Sequence, residues 1–61
     1  NFFDSPKVRS EAYLLEMELY SALGDKKTMN QIEEVWNHDI ESGNAEPTSD
    51  SIQKRITQLK A

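Results

Sequence analysis

Residues 5–23 read SPKVRSEAYLLEMELYSAL, and this stretch decides the fold because apolar side chains recur along it every three or four residues. The first apolar stripe comprises Val8, Ala12, Leu15, Leu19 and Ala22 or Leu23, and a second comprises Tyr13, Met17 and Tyr20. Ser5 and Pro6 are typical of a helix start, and Gly24 is typical of the position just after a helix end. The pattern predicts a helix over residues 6–23 with its first stripe facing the core.

A second helix is predicted over residues 27–42, which include the stretch TMNQIEEVWNHDIES at 28–42. Its start is either Asp25 or Thr28, since Thr28 and Gln31 match the capping-box spacing. The predicted inner face consists of Met29, Ile32, Val35 or Trp36, and Asp39 or Ile40. Ser42, Gly43 and Asn44 end the pattern, so the first two helices form an αα-hairpin.

A third helix is predicted over residues 49–60, SDSIQKRITQLK. It follows Pro47, which disfavours helical backbone at the residue before it. Ile52, Ile56 and Leu59 supply its apolar spacing. The fold class is therefore all-α, a three-helix bundle in which Leu19, Ile32 and Ile56 are expected to be buried together. Phe2 and Phe3 are expected to fold back onto the bundle.

The length of 61 residues allows one small helical domain, or a fragment of a larger helical protein, and the start at Asn1 rather than Met favours the fragment. The chain is 36% hydrophobic and 30% charged, a composition typical of soluble globular domains. It contains no cysteine, which excludes disulfides and thiolate metal sites. No apolar run is long enough to cross a membrane and no signal peptide is recognisable. We therefore expect a soluble intracellular protein.

Charge is unevenly distributed along the chain, with a formal net charge of −4. Residues 28–50 contain six acidic side chains and no lysine or arginine, whereas residues 51–61 contain Lys54, Arg55 and Lys60 and no acid. An acidic body repels phosphate backbones, and non-specific nucleic-acid binding is mostly electrostatic. The charge pattern therefore disfavours a nucleic-acid partner, although the basic third helix leaves that alternative open.

Catalytic and metal-binding patterns are weak in this sequence. His38 shares one helix face with Glu34 and Glu41, but metal sites usually draw ligands from more than one element, so His38 is expected to be an exposed histidine. No glycine-rich phosphate loop and no serine beside a histidine occur. We expect no enzymatic activity, no metal and no cofactor.

Two features of the sequence are typical of binding proteins, an isolated tryptophan and a surplus of apolar residues on the first helix. Trp36 resembles an interface anchor, but its spacing of four residues from Ile32 favours a core position. A short bundle has difficulty burying both apolar stripes of the first helix, so one stripe is a candidate partner surface.

The hairpin resembles the tetratricopeptide and pentatricopeptide helical repeats and the repeats of bacterial transcriptional activator domains. Tyr13 and Tyr20 lie seven residues apart before Gly24-Asp25, as in helix A of such repeats, and residues 32–43 followed by Pro47 look like helix B and the start of the next repeat. The resemblance implies a protein-binding groove, and it places Glu11, Leu14, Glu18 and Ser21 along that groove. Such a surface suits a basic or amphipathic partner segment.

A second resemblance is to a helix-turn-helix or winged-helix core. Residues 28–32 look like the opening of a positioning helix, and residues 49–59 look like a recognition helix. This resemblance implies a small transcription-regulatory DNA-binding domain. Its contacts would come from Ser51, Gln53, Lys54 and Arg55. A structural bundle without a partner of its own is the third possibility.

Overall fold

The computed structural model describes residues 5–61, which form α1 (Pro6–Ala22), α2 (Lys26–Glu41) and α3 (Asp50–Lys60). The predicted all-α three-helix bundle is confirmed, and every predicted helix end lies within one residue of the observed end. α1 packs against both α2 and α3. The predicted packing of Phe2 and Phe3 lies outside the described residues.

Two glycines end the first two helices. Gly24 has a φ of +78°, a left-handed conformation that glycine adopts without steric cost. Its N–H donates to the carbonyl of Ser21 at 3.0 Å, and the next N–H, that of Asp25, donates to the carbonyl of Tyr20 at 2.9 Å. This pair of bonds is the Schellman motif. Gly43, at φ +85°, ends α2 in the same way.

The helix starts show which predicted capping residues are used. Asp25 rather than Thr28 caps α2, because the Asp25 carboxylate accepts the backbone N–H of Thr28 at 3.0 Å. Ser49 caps α3 by accepting the N–H of Ile52. Ser5 occupies the cap position of α1, but its side chain makes no capping hydrogen bond. A serine at this position usually caps the helix through its hydroxyl, and that expectation is wrong for Ser5, whose extended backbone nevertheless begins the helix at Pro6.

The capping carboxylate of Asp25 makes the stability of the fold depend on pH. The hydroxyl and the backbone N–H of Thr28 both donate to Asp25 and hold the pKa of its carboxyl below the ordinary value of 3.8. A lowered folded-state pKa stabilises the fold above the unfolded pKa, and this contribution is lost as the pH falls through the folded pKa. Asp25→Asn accepts similar bonds without titrating. We therefore expect the urea midpoint of the wild type to fall more than that of Asp25→Asn between about pH 6 and about pH 2. Equal falls would contradict this role of Asp25.

The core lies where the three helices and the loop of residues 42–49 meet. Its buried hydrophobic residues are Leu14, Met17, Met29, Trp36, Ala45 and Ile56. Half-buried residues packed against them are Tyr13, Tyr20, Ile32, Ile40, Ile52 and Leu59. The predicted core positions of Trp36 and Ile56 are confirmed.

The rotation of α1 differs from the prediction. The second stripe faces inward, with Met17 fully buried, whereas Leu19 of the first stripe is 55% exposed. The expectation that Leu19 joins Ile32 and Ile56 in the core is therefore wrong. On α2, Trp36 points inward and Val35 is exposed, which resolves the alternative left open there.

The buried polar groups explain this rotation. Ser10 is buried, accepts the indole N–H of Trp36 at 3.0 Å and donates to the carbonyl of Glu46 at 2.7 Å. A buried indole N–H or carbonyl without a partner costs about 1–3 kcal/mol. The face of α1 that carries Ser10 satisfies both groups, whereas the first stripe contains no side chain that can form a hydrogen bond.

Tyr13 supplies a second polar link from the same face of α1. Its hydroxyl donates to the carboxylate of Asp39, which also lies 3.5 Å from the guanidinium of Arg9. The hydrogen bond to Asp39 and partial burial raise the pKa of Tyr13 above its ordinary value. The ring of Tyr13 stacks on Trp36 with 6.0 Å between centroids. These contacts connect α1 to the end of α2, and we assign this cluster a structural role.

Candidate protein-binding surface

The face of α1 opposite the core is apolar and open to solvent. Leu15, Leu19 and Leu23 are 65%, 55% and 67% exposed. Residues four apart lie above one another on a helix, so the three leucines form one continuous row. Single exposed leucines are common on protein surfaces, but contiguous apolar patches mark interaction sites.

The row belongs to a wider surface that we call the outer stripe. It comprises Val8, Ala12, Leu15, Leu19, Ala22 and Leu23, the set that the periodicity predicted to be buried. Val8 is half-buried, and the other five residues are exposed. α1 is therefore apolar on two opposite faces. One face packs into the bundle, and the other has no covering element among the described residues.

Charged residues border the outer stripe along both edges. The 100° turn per residue places Glu11 and Glu18 along one edge and Arg9 and Glu16 along the other. Glu18 is bound by the guanidinium of Arg55 in α3, with N···O distances of 2.7 and 2.8 Å. Neither Glu11 nor Glu16 forms an ion pair with any residue of the described range 5–61. The outer stripe is therefore bordered by two carboxylates that are unpaired within this range, those of Glu11 and Glu16.

The predicted groove residues are distributed over two environments. Glu11 is exposed, Glu18 is half-buried in its ion pair with Arg55, and Ser21 is half-buried. Leu14 is only 4% exposed and belongs to the core. The expectation that Leu14 offers an apolar contact to a partner is therefore wrong, because α1 is rotated so that Leu14 faces the bundle. The exposed apolar contacts come from the outer stripe instead.

The alternative nucleic-acid surface on α3 is exposed but contains little free positive charge. Ser51, Gln53, Lys54 and Arg55 all face solvent. However, Arg55 is paired with Glu18, and the ammonium of Lys60 lies 2.7 Å from the carboxylate of Glu33. Within residues 5–61, Lys54 is the one basic side chain of α3 that forms no ion pair. A single lysine unpaired in that range, with Asp50 one helical turn away, provides too little positive charge to bind a nucleic-acid phosphate backbone tightly.

The connection between α2 and α3 also departs from a helix-turn-helix motif. Residues 42–49 separate the two helices, whereas the motif uses a turn of about three or four residues. The described part of the chain contains no strand that could form a wing.

His38, considered above for metal binding with Glu34 and Glu41, is exposed on α2. Across residues 5–61, no group of three histidine, aspartate or glutamate side chains is placed to hold a metal ion. None of the three described helices combines the length and the apolar character that crossing a membrane requires.

Comparison with protein-family models, curated proteins and solved structures found no match for this chain. The helical-repeat and helix-turn-helix resemblances are therefore limited to short stretches of sequence, and the surface of α1 is the strongest indication of function.

Proposed function

We propose that this chain is a non-enzymatic interaction module that binds a protein partner through the outer stripe of α1. The observation that carries the proposal is the exposed row of Leu15, Leu19 and Leu23. Covering such a row removes apolar surface from water, and this supplies most of the favourable free energy in protein association.

The structure of the bundle supports this use of α1. The opposite face of the helix is held by the core, by the Ser10–Trp36 hydrogen bond and by the Tyr13–Asp39 hydrogen bond. The outer stripe is therefore presented on a fixed helix, and a partner does not have to order this surface when it binds. Rigid presentation lowers the entropic cost of association. The resemblance of the hairpin to tetratricopeptide repeats favours the same class of function, because those repeats bind other protein segments.

Substitution of the exposed leucines tests the proposal. We expect the double variant Leu15→Ser, Leu19→Ser to remain folded, because neither side chain contributes to the buried core. A protein captured by the immobilised wild-type chain and then purified should bind the double variant at least about tenfold more weakly, since burying two leucine side chains contributes more than about 1.4 kcal/mol. Surface plasmon resonance measures both affinities.

Val35→Ser is the matched control for this experiment. Val35 is an exposed apolar residue on α2, outside the outer stripe, so its loss should leave the affinity unchanged. Equal weakening by the control, or undiminished binding by the double variant, would place the binding surface elsewhere.

A titration with nucleic acid separates this proposal from the transcription-regulatory alternative. We expect the chain to bind duplex DNA or single-stranded RNA no more tightly than about 10⁻⁴ M at physiological salt, the weak end of non-specific binding. The reason is that Arg55 and Lys60 are paired with carboxylates. Fluorescence anisotropy measures the affinity. Micromolar binding that weakens in Lys54→Ala would favour the DNA-binding alternative.

A further inference from the structure

The outer stripe has the spacing of a coiled-coil seam. Val8, Ala12, Leu15, Leu19 and Ala22 are separated by four, three, four and three residues. This alternation is the heptad repeat, in which a and d positions meet a second helix. Ala12 and Leu19 take the a positions, and the other three residues take d.

The burial of α1 follows the same register. Ser10 and Met17 fall at the f positions, which lie opposite the seam, and they are the most deeply buried residues of the helix. The bundle therefore covers the side of α1 opposite the seam, and of the seam residues only Val8 is half-buried while the other four are exposed. α1 has 17 residues. A helix of that length is about 25 Å long, which spans just over two heptads.

The edges of the seam determine which helix suits it. Glu11 and Glu18 occupy the g positions, and Arg9 and Glu16 occupy the first two e positions. Arg9 and Glu18 are already paired with Asp39 and Arg55, so the charges left free are those of Glu11 and Glu16. Both are negative.

A second copy of this chain does not complement these edges. In a parallel pair, Glu11 would face Glu16 of the second copy. In an antiparallel pair, each edge would face itself, so Glu11 would meet the acidic edge of the second copy, and Arg9, the one basic residue of the other edge, is already held by Asp39. Either arrangement places carboxylates against carboxylates, and like charges at these positions disfavour pairing.

We infer that the partner is an amphipathic helix of another protein, which packs along the outer stripe as a two-stranded coiled coil and presents lysine or arginine to Glu11 and Glu16. This inference rests on the proposed function. The seam also indicates the partner's apolar residues, because Ala12 and Ala22 leave space for large side chains while Leu15 and Leu19 fill the centre. The partner helix therefore needs large apolar residues over the two alanines.

Two synthetic helices test the charge complementarity. The first is a fluorescein-labelled peptide of three heptads with leucine at a and d and lysine at e and g, and the second has glutamate in place of lysine. Fluorescence anisotropy with the full 61-residue chain should show about tenfold tighter binding of the lysine peptide, because two attractive contacts replace two repulsive ones. The difference should shrink at high salt.

A charge-swapped variant provides the reciprocal control. Glu11→Lys, Glu16→Lys changes two exposed side chains and leaves the Glu18–Arg55 pair intact, so the fold should be retained. This variant should prefer the glutamate peptide. Reversal of the preference supports the inference.

The other outcomes separate failure of this inference from failure of the proposed function. Equal binding of both peptides, abolished by Leu15→Ser, Leu19→Ser, would overturn the charge rule and keep the outer stripe as the binding surface. Binding of both peptides that survives the leucine substitutions, or binding of neither, would overturn the coiled-coil mode. Dimerisation of the chain in sedimentation equilibrium, lost in the same leucine variant, would replace the proposed partner with a second copy.

Discussion

Trp36→Ala should leave most of the chain unfolded at 25 °C. Trp36 is fully buried, stacks on Tyr13 and donates its indole N–H to Ser10. Truncating a buried tryptophan to alanine costs about 3–5 kcal/mol. A single core in a domain of this size supplies roughly 3–5 kcal/mol of stability, so the loss is comparable to the whole. Circular dichroism at 222 nm should show reduced helix content without denaturant.

Trp36→Phe is the graded control for that experiment. Phenylalanine keeps an aromatic ring against Tyr13 but cannot donate to Ser10, so the expected loss is about 1–3 kcal/mol. Urea unfolding of the two variants should therefore rank wild type, Trp36→Phe and Trp36→Ala in order of decreasing stability. Native helix content and an unchanged midpoint in Trp36→Ala would show that the core is not centred on this residue.

The helices could be predicted because their signals are local. Gly24 and Gly43 mark the helix ends through their own backbone conformation, and Asp25 and Ser49 mark helix starts through bonds to residues three positions away. Apolar spacing in α2 and α3 indicated the inward faces, since each has one dominant apolar stripe. Local chemistry and periodicity therefore account for the fold class.

The rotation of α1 could not be predicted from periodicity, because both of its faces repeat with helical spacing. Leucines and alanines form one face, and Tyr13, Met17 and Tyr20 form the other. The choice between them depends on groups that are distant in sequence. Ser10 satisfies Trp36 and Glu46, which lie 26 and 36 residues away, and Tyr13 binds Asp39. A buried serine also carries no hydrophobic signal.

The ambiguity in the rotation of α1 also affected the prediction of the binding residues. Leu14 was assigned to a groove by the spacing of the helical-repeat resemblance, and it is a core residue. The expectation that a short bundle cannot bury both stripes of α1 correctly identified the problem. It did not specify which stripe is exposed, and the structure exposes the stripe with the leucines. Hydroxyl groups that bond to the core distinguish the two faces, but their partners lie 26 and 36 residues away, so the spacing within α1 does not reveal them.

Met17→Ala and Leu19→Ala should have opposite consequences although the two residues are two positions apart on one helix. Met17 is fully buried, so its truncation leaves a cavity among Trp36 and Met29 and should cost about 2–4 kcal/mol. Leu19 is more than half exposed, and alanine is the strongest helix former, so Leu19→Ala should change stability by less than about 0.5 kcal/mol. Urea unfolding followed by Trp36 fluorescence measures both variants. A large loss for Leu19→Ala with little for Met17→Ala would mean that the leucine face is the buried one. The outer stripe would then be part of the core, and the binding surface proposed for it would not exist.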